Sequence, residues 1–286
     1  MTCTWTALIT PFNDDTSVDF ESLRKMLHTQ NKAVNGVLLL GSTGESLQLS
    51  LDEKVQIIDQ ALSLELEIPL LVGLSGINHL ENYALIEICN DKNIHGYLLS
   101  TPMYSKPGTE GQYHWFKKHL DMMEKPCMLY NVPGRTGVKL SFETIKRLED
   151  HKNLWALKEA SGTTEDCQRY IQENPQLEVY SGDDVMAHEH INIGAKGVVS
   201  VASNIWPERT HRYITNLLLD KEEQTSKWIE ACNELFVVAN PIPVKYLCHK
   251  TNLCASMQTR FPLTTTELKE NNLEDLHEMI INEFGV

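Results

Sequence analysis

Residues 154–162 read LWALKEASG, an apolar run with one ammonium group set near its end. Lysine is almost never fully buried unless it is paired or used. Inside an apolar strand the amine of Lys158 loses hydration, which disfavours its charged form. A neutral amine attacks a ketone to give a Schiff base, whose protonated nitrogen lets a neighbouring carbon lose a proton as an enamine. Two other readings stand beside this one, a pair with Glu159 or a side chain that snorkels to the rim. Strand alternation sends Glu159 to the opposite face.

Three more stretches carry groups suited to such chemistry. Tyr130 in LYNVP offers a hydroxyl for proton transfer, although a strand-end tyrosine also fits a core with its hydroxyl satisfied. Ser42 and Thr43 in GSTGES offer two hydroxyls and glycine-freed N–H groups, which suit a carboxylate or simply make a strand-to-helix turn. Arg135 in PGRTG presents a planar fork that takes a carboxylate through two hydrogen bonds. An exposed loop arginine is the other reading.

Those residues need a scaffold that brings them to one place. Apolar runs alternate with amphipathic stretches: TALITPF with 19–34, GVLLLGS with 50–64, IPLLVGL with 80–93 and GYLLSTP with 110–122. PCMLYNV is followed by 141–149, LWALKEA by 164–174, LEVYSG by 183–193 and GVVSVAS by 207–219. Continuous apolar strands imply burial on both faces, as in parallel sheets covered by helices. Eight such units predict a closed (β/α)8 TIM barrel. A doubly wound sheet often carries a glycine fingerprint after its first strand, and here that strand ends in TPFNDD. Beyond residue 221 the pattern is helical, over 222–238, 244–249 and 266–284, giving a catalytic barrel at 1–221 and a C-terminal helical appendage at 222–286. In such barrels the active site lies at the C-terminal ends of the strands. GSTGES, TPMYSKPG, YNVPGRTG, LKEASG and SGDD all fall there.

The 286 residues carry 25 Lys and Arg against 39 Asp and Glu, a formal net charge of −14 that repels nucleic acid and anionic lipid. A small anionic substrate remains open, since a few pocket residues set the local field. Seven scattered cysteines form no CxxC and suit a reducing compartment. With no basic leader before the first apolar residues and no apolar run near the roughly 20 residues of a membrane span, a cytoplasmic protein is expected.

GSTGES, YNVPGRTG, LKEASG and NPIPVK, in this order and spacing, resemble the dihydrodipicolinate synthase family of the pyruvate-dependent class I aldolase superfamily, which also holds N-acetylneuraminate lyase. The resemblance covers nearly the whole chain. It implies a pyruvate Schiff base on Lys158, with Tyr130, Ser42 and Tyr104 as a proton relay, Tyr104 acting across a subunit interface. It implies that Thr43 holds the pyruvate carboxylate, that Gly182 and the Val199 backbone line the pyruvate pocket, and that Arg135 docks the carboxylate of aspartate semialdehyde. A homodimer or homotetramer follows, without metal or bound cofactor, because the imine is itself the electron sink. Another pyruvate-dependent aldolase, acting on N-acetylneuraminate or a keto-deoxy-gluconate, is the alternative. A non-catalytic relative would lack the imine lysine or the relay tyrosine, and this chain has both.

Some positions depart from the pattern. Ser42 stands where the synthases usually carry threonine, which keeps the hydroxyl and loses a methyl. Arg135 is the strongest pointer to the synthase branch, since the lyases do not share it. At the positions that bind the feedback inhibitor L-lysine in many bacterial members, Ser46 and Asn78 are kept. Leu51 and Lys54 replace histidines, Asn82 an acid and Met103 a tyrosine, although Glu81 lies one residue from Asn82. Weak or absent inhibition by lysine is expected. Lys245 is read as a rim lysine, and His79, His188 and His190 as surface or capping residues.

Overall fold

The computed structural model describes residues 3–33, 36–269 and 271–284. Met1 and Thr2 of the expected barrel, Val34 at the expected end of the first helix, and Gly285 and Val286 of the expected appendage lie outside the described residues.

The apolar runs become strands β1 (Thr4–Ala7), β2 (Gly36–Leu39), β3 (Leu70–Leu74), β4 (Gly96–Ser100), β5 (Cys127–Asn131), β6 (Leu154–Glu159), β7 (Glu178–Ser181) and β8 (Val198–Ser200). Each pairs in parallel with the next, and β8 returns to β1 to close the barrel. Around them run α1 (Phe20–Ala33), α2 (Leu51–Leu62), α3 (His79–Asn90), α4 (Thr109–Met122), α5 (Pro133–Thr136), α6 (Phe142–Leu148), α7 (Thr164–Glu173), α8 (Ala187–Asn192) and α9 (Pro207–Leu218). The C-terminal segments are α10 (Thr225–Glu234), α11 (Ile242–Lys250) and α12 (Leu273–Phe284). The (β/α)8 TIM barrel with C-terminal helices is the architecture expected from the sequence.

Two apolar layers explain why most of the strands read as continuous apolar runs. Leu38, Leu71, Leu98, Met128 and Ala156 face the barrel interior together with Trp5 and Tyr180. Their strand neighbours Leu39, Val72, Leu99, Leu129 and Leu157 pack outward under the helices. The period of two carries on along β6, so Lys158 follows Ala156 inward and Glu159 follows Leu157 outward. Trp5, Trp155 and Tyr180 fill the interior with ring centroids 5.9 Å apart in each successive pair.

The C-terminal helices close on α9 through aromatic rings. Trp228 of α10 lies 5.0 Å from Tyr213, and Trp206 donates from Nε1 to Nδ1 of His277 on α12 at 3.0 Å.

Four elements differ from the sequence reading, three of them through a local polar competitor. The helix expected over 183–193 begins only at Ala187, because Asp183 accepts the N–H of Val185 at 2.8 Å and Asp184 turns to β8. The helix expected over 222–238 is Thr225–Glu234, since Arg209 at 2.8 Å and Asn216 at 2.6 Å draw Glu223 onto α9. In place of one helix over 266–284 there is a 3₁₀ turn, Thr265–Glu267, then α12, whose first N–H is taken by the side chain of Asn271. The PGRTG turn winds once into α5, with Gly137 ending it at φ 74°.

Candidate active site

Parallel pairing of β5 and β6 sets Tyr130 beside Lys158. Lys158 is 4% exposed, and its Nζ lies 4.5 Å from the centre of the Tyr130 ring. Burial brings the Lys158 amine down to about 7, with Arg135 adding to the drop and Asp184 and Asp183 opposing it. The pairing and rim readings of this lysine both fail: Glu159 on the outer face accepts from Asn131 Nδ2 at 2.8 Å and from the Ser161 N–H at 2.7 Å. Gly182 gives the lysine its room, since a Cβ there would sit 2.8 Å from Lys158 Cε. Val199 is fully buried in the interior layer on β8, paired with Trp5.

Asp184 went without a role in the sequence reading, although it is the second acid of SGDD. It is buried, and its Oδ2 accepts the N–H groups of Val201 at 2.8 Å and Ala202 at 3.1 Å. It is the largest favourable charge acting on the Lys158 ammonium.

Ser42 and Tyr130 line the same wall of the mouth; burial raises the Tyr130 phenol, and Arg135 and the neighbouring Ser42 hydroxyl partly offset that rise. A cleft of about 280 Å³ opens in front of this pair, lined also by Ser75, Ser100, Arg135 and Asn240. Arg135 leans over it from α5 and donates from Nη2 to the carbonyl of Asn240 at 3.4 Å. Thr43 is buried behind the cleft, its Oγ1 accepting from Asn240 Nδ2 at 3.0 Å. Ser42, Tyr130, Lys158, Arg135 and Thr43 therefore meet at one mouth, bridged by an asparagine that opens NPIPVK.

That turn is braced from the C-terminal helices. Glu45 has φ 52°, a left-handed backbone uncommon outside glycine, and its carboxylate pairs with Lys245 of α11. The rim reading of Lys245 is corrected here. Its side chain is 1% exposed, donates to the Gln258 carbonyl at 2.8 Å and lies 4.0 Å above the Phe12 ring. Arg260 completes the brace: its N–H donates to Glu45 at 2.9 Å, while its guanidinium reaches the Thr16 and Gln48 carbonyls and Glu53. A lysine three residues past an interior helix start was the only sequence signal of this pair.

Tyr104 stands apart. Its side chain is 88% exposed, with φ 68° at its backbone and its N–H bonded to the Thr136 carbonyl at 3.0 Å. A second cleft, lined by Leu51, Lys54, Glu81 and Asn82, adjoins Ser75. Burial lowers the Lys54 amine, Glu81 opposing it, and Glu81 also accepts from Asn78 Nδ2 at 2.7 Å. Of the histidines, His79 is exposed at the start of α3 and His188 is half-buried. His190 corrects the surface reading, being fully buried with Nδ1 3.0 Å from Ser181 Oγ. Among the described residues no group of three or more His, Cys, Asp or Glu side chains is arranged to hold a metal ion.

A closed (β/α)8 barrel with a buried, partly neutral amine beside a tyrosine at its C-terminal mouth defines an aldolase-type lyase architecture. The sequence profile of the dihydrodipicolinate synthetase family matches residues 1–282, and this chain belongs to that family. Relatives described as 4-hydroxy-tetrahydrodipicolinate synthase include one from Wolbachia pipientis wMel, 41% identical over 97% of this chain and 95% of the relative. Another, from Francisella tularensis subsp. novicida, is 43% identical over 94% and 92%. The crystal structure of the chloride-inhibited dihydrodipicolinate synthase from Acinetobacter baumannii, complexed with pyruvate, superimposes with a TM-score of 0.91 at 33% identity over 100% of this chain and 99% of that one.

Proposed function

We propose that this protein condenses pyruvate with L-aspartate 4-semialdehyde to give 4-hydroxy-tetrahydrodipicolinate, on the route to diaminopimelate and lysine. The observation that carries the reading is the buried Lys158 amine 4.5 Å from the Tyr130 ring, with Arg135 over the same mouth.

The neutral amine of Lys158 adds to C2 of pyruvate, and the ketone oxygen leaves as water after accepting protons through Tyr130 and Ser42. The resulting iminium draws electrons from C3, which loses a proton to the same relay and becomes an enamine. That carbon attacks the aldehyde of the second substrate, whose oxygen takes up a proton. The amino group of the adduct then displaces Lys158 from the iminium carbon as the ring closes, returning the free amine. Thr43 holds the pyruvate carboxylate and Arg135 that of the semialdehyde, while Gly182 and Val199 shape the pyruvate pocket. Tyr104 joins the relay from a neighbouring copy in a homodimer or homotetramer. Its exposed ring on a left-handed backbone supports this, because such a residue contributes little to its own subunit. Residues 222–286 act as an appendage that braces the mouth. No helix among the described residues is long and apolar enough to cross a membrane, which fits a cytoplasmic enzyme.

Pyruvate consumption by the purified protein, with aspartate semialdehyde and N-acetylmannosamine offered separately, tests the reading. Turnover with the semialdehyde alone is expected. Turnover with the amino sugar alone would move the protein to the lyase branch.

A further inference from the structure

Asn240 touches both groups proposed to hold carboxylates. Its Nδ2 donates to Thr43 Oγ1 at 3.0 Å and its main-chain carbonyl accepts from Arg135 Nη2 at 3.4 Å. It is 5% exposed and lies on the wall of the cleft.

A hydroxyl has one proton and two lone pairs. With an amide N–H donated into one lone pair, the Thr43 proton must point away from Asn240. Thr43 then meets an incoming group as a donor. A donor suits a carboxylate, and a misdirected hydroxyl would present a lone pair to it. Arg135 keeps four of its five N–H groups after the Asn240 carbonyl has taken one, and that bond holds the fork over the mouth. The backbone of Asn240 fixes one holder and its side chain sets the polarity of the other.

We infer that Asn240 is a positioning residue that orients the Thr43 hydroxyl as a donor toward the carboxylate of the 2-oxo acid substrate. The inference rests on the proposed function, and its test separates the two.

Asn240→Asp is nearly isosteric but accepts where Asn240 donates, so it turns the Thr43 proton inward. It also leaves the main-chain contact to Arg135 in place. The expected result is a KM for pyruvate raised about tenfold or more, the scale of one charge-assisted hydrogen bond. Little change is expected in the KM for the semialdehyde. Asn240→Ala, which frees the hydroxyl without reversing it, falls between wild type and Asn240→Asp. A merely structural role predicts the opposite order, since alanine leaves the larger void. In a Thr43→Val background, Asn240→Asp has nothing left to misdirect and adds little; simple repulsion by the new carboxylate would add its full effect there as well. Should Asn240→Asp not fold, Asn240→Ala combined with Thr43→Val completes the same cycle.

Wild-type enzyme that forms a borohydride-trapped pyruvate adduct, with Asn240→Asp unchanged in pyruvate KM or fully additive with Thr43→Val, overturns the inference and leaves the proposed function standing. Wild-type enzyme that forms no adduct overturns both.

Discussion

At the scale of single residues, Lys158 is where function opposes stability. Its amine titrates near 10.5 in the unfolded chain and at about 7 in the folded one, mainly through burial. Between those values the folded chain binds fewer protons, so the contribution of Lys158 to stability rises with pH across that window and is lost as pH falls through about 7. Lys158→Met, similar in length and without a charge, should abolish pyruvate trapping yet raise the thermal midpoint at neutral pH. A lower midpoint would contradict the burial account. In wild type, kcat/KM for pyruvate should climb with pH through about 7 as the neutral amine forms, then level off while Tyr130, its phenol raised by burial, keeps its proton. Arg135→Ala should weaken use of the semialdehyde by about 2–3 kcal/mol, a loss of roughly 30- to 160-fold in kcat/KM, and leave pyruvate trapping intact. Equal loss for both substrates would remove its proposed role. Lys158 and Tyr130 were legible because a charge or hydroxyl at the end of an apolar strand breaks the pattern, and Arg135 because a glycine turn just past β5 holds it near the same mouth. Asp184 and Asn240 were not, since an acid in SGDD and an asparagine before proline look like ordinary turn residues until their partners are known.

At the scale of elements, most strands could be read directly because both of their faces are apolar; β1, TWTA, was read two residues late because Thr4 and Thr6 make one of its faces polar. Helix ends were less legible, because side chains such as Asp183 and Asn271 compete for backbone N–H groups through contacts that hydrophobic period does not record. Lys245 shows the limit most clearly. Its buried partner Glu45 is 200 residues away in sequence, on the turn that carries Ser42 and Thr43, so no local pattern reveals the pair. Removing one member of a buried ion pair strands the other charge and typically costs about 3–5 kcal/mol. Lys245→Met should therefore lower stability by that order and disturb pyruvate binding through the turn. Lys245→Met with Glu45→Gln should recover much of the stability, as denaturant unfolding would show. A double variant no more stable than Lys245→Met would mean that the pair acts through something other than its charges.

At the scale of the whole molecule, five strand ends bring residues from Ser42 to Val199 to one mouth, the segment before α11 adds Asn240, and the family match over residues 1–282 takes in all of them. The role proposed for the exposed ring of Tyr104 needs a neighbouring copy, which a single sequence suggests through resemblance and not through its own periodicity. With Lys54 and a neutral Asn82 lining the second cleft, a cationic amino acid finds a like charge there and only Glu81 to pair with. L-lysine should inhibit weakly or not at all; half-inhibition at submillimolar lysine in a pyruvate-consumption assay would contradict this. Whether Lys158 is the imine-forming amine is read most directly by mass spectrometry of the protein after incubation with pyruvate and borohydride, followed by peptide mapping. One reduced pyruvate per chain is expected, on Lys158 and absent from Lys158→Met. No adduct, or one on another lysine such as Lys245, would contradict it.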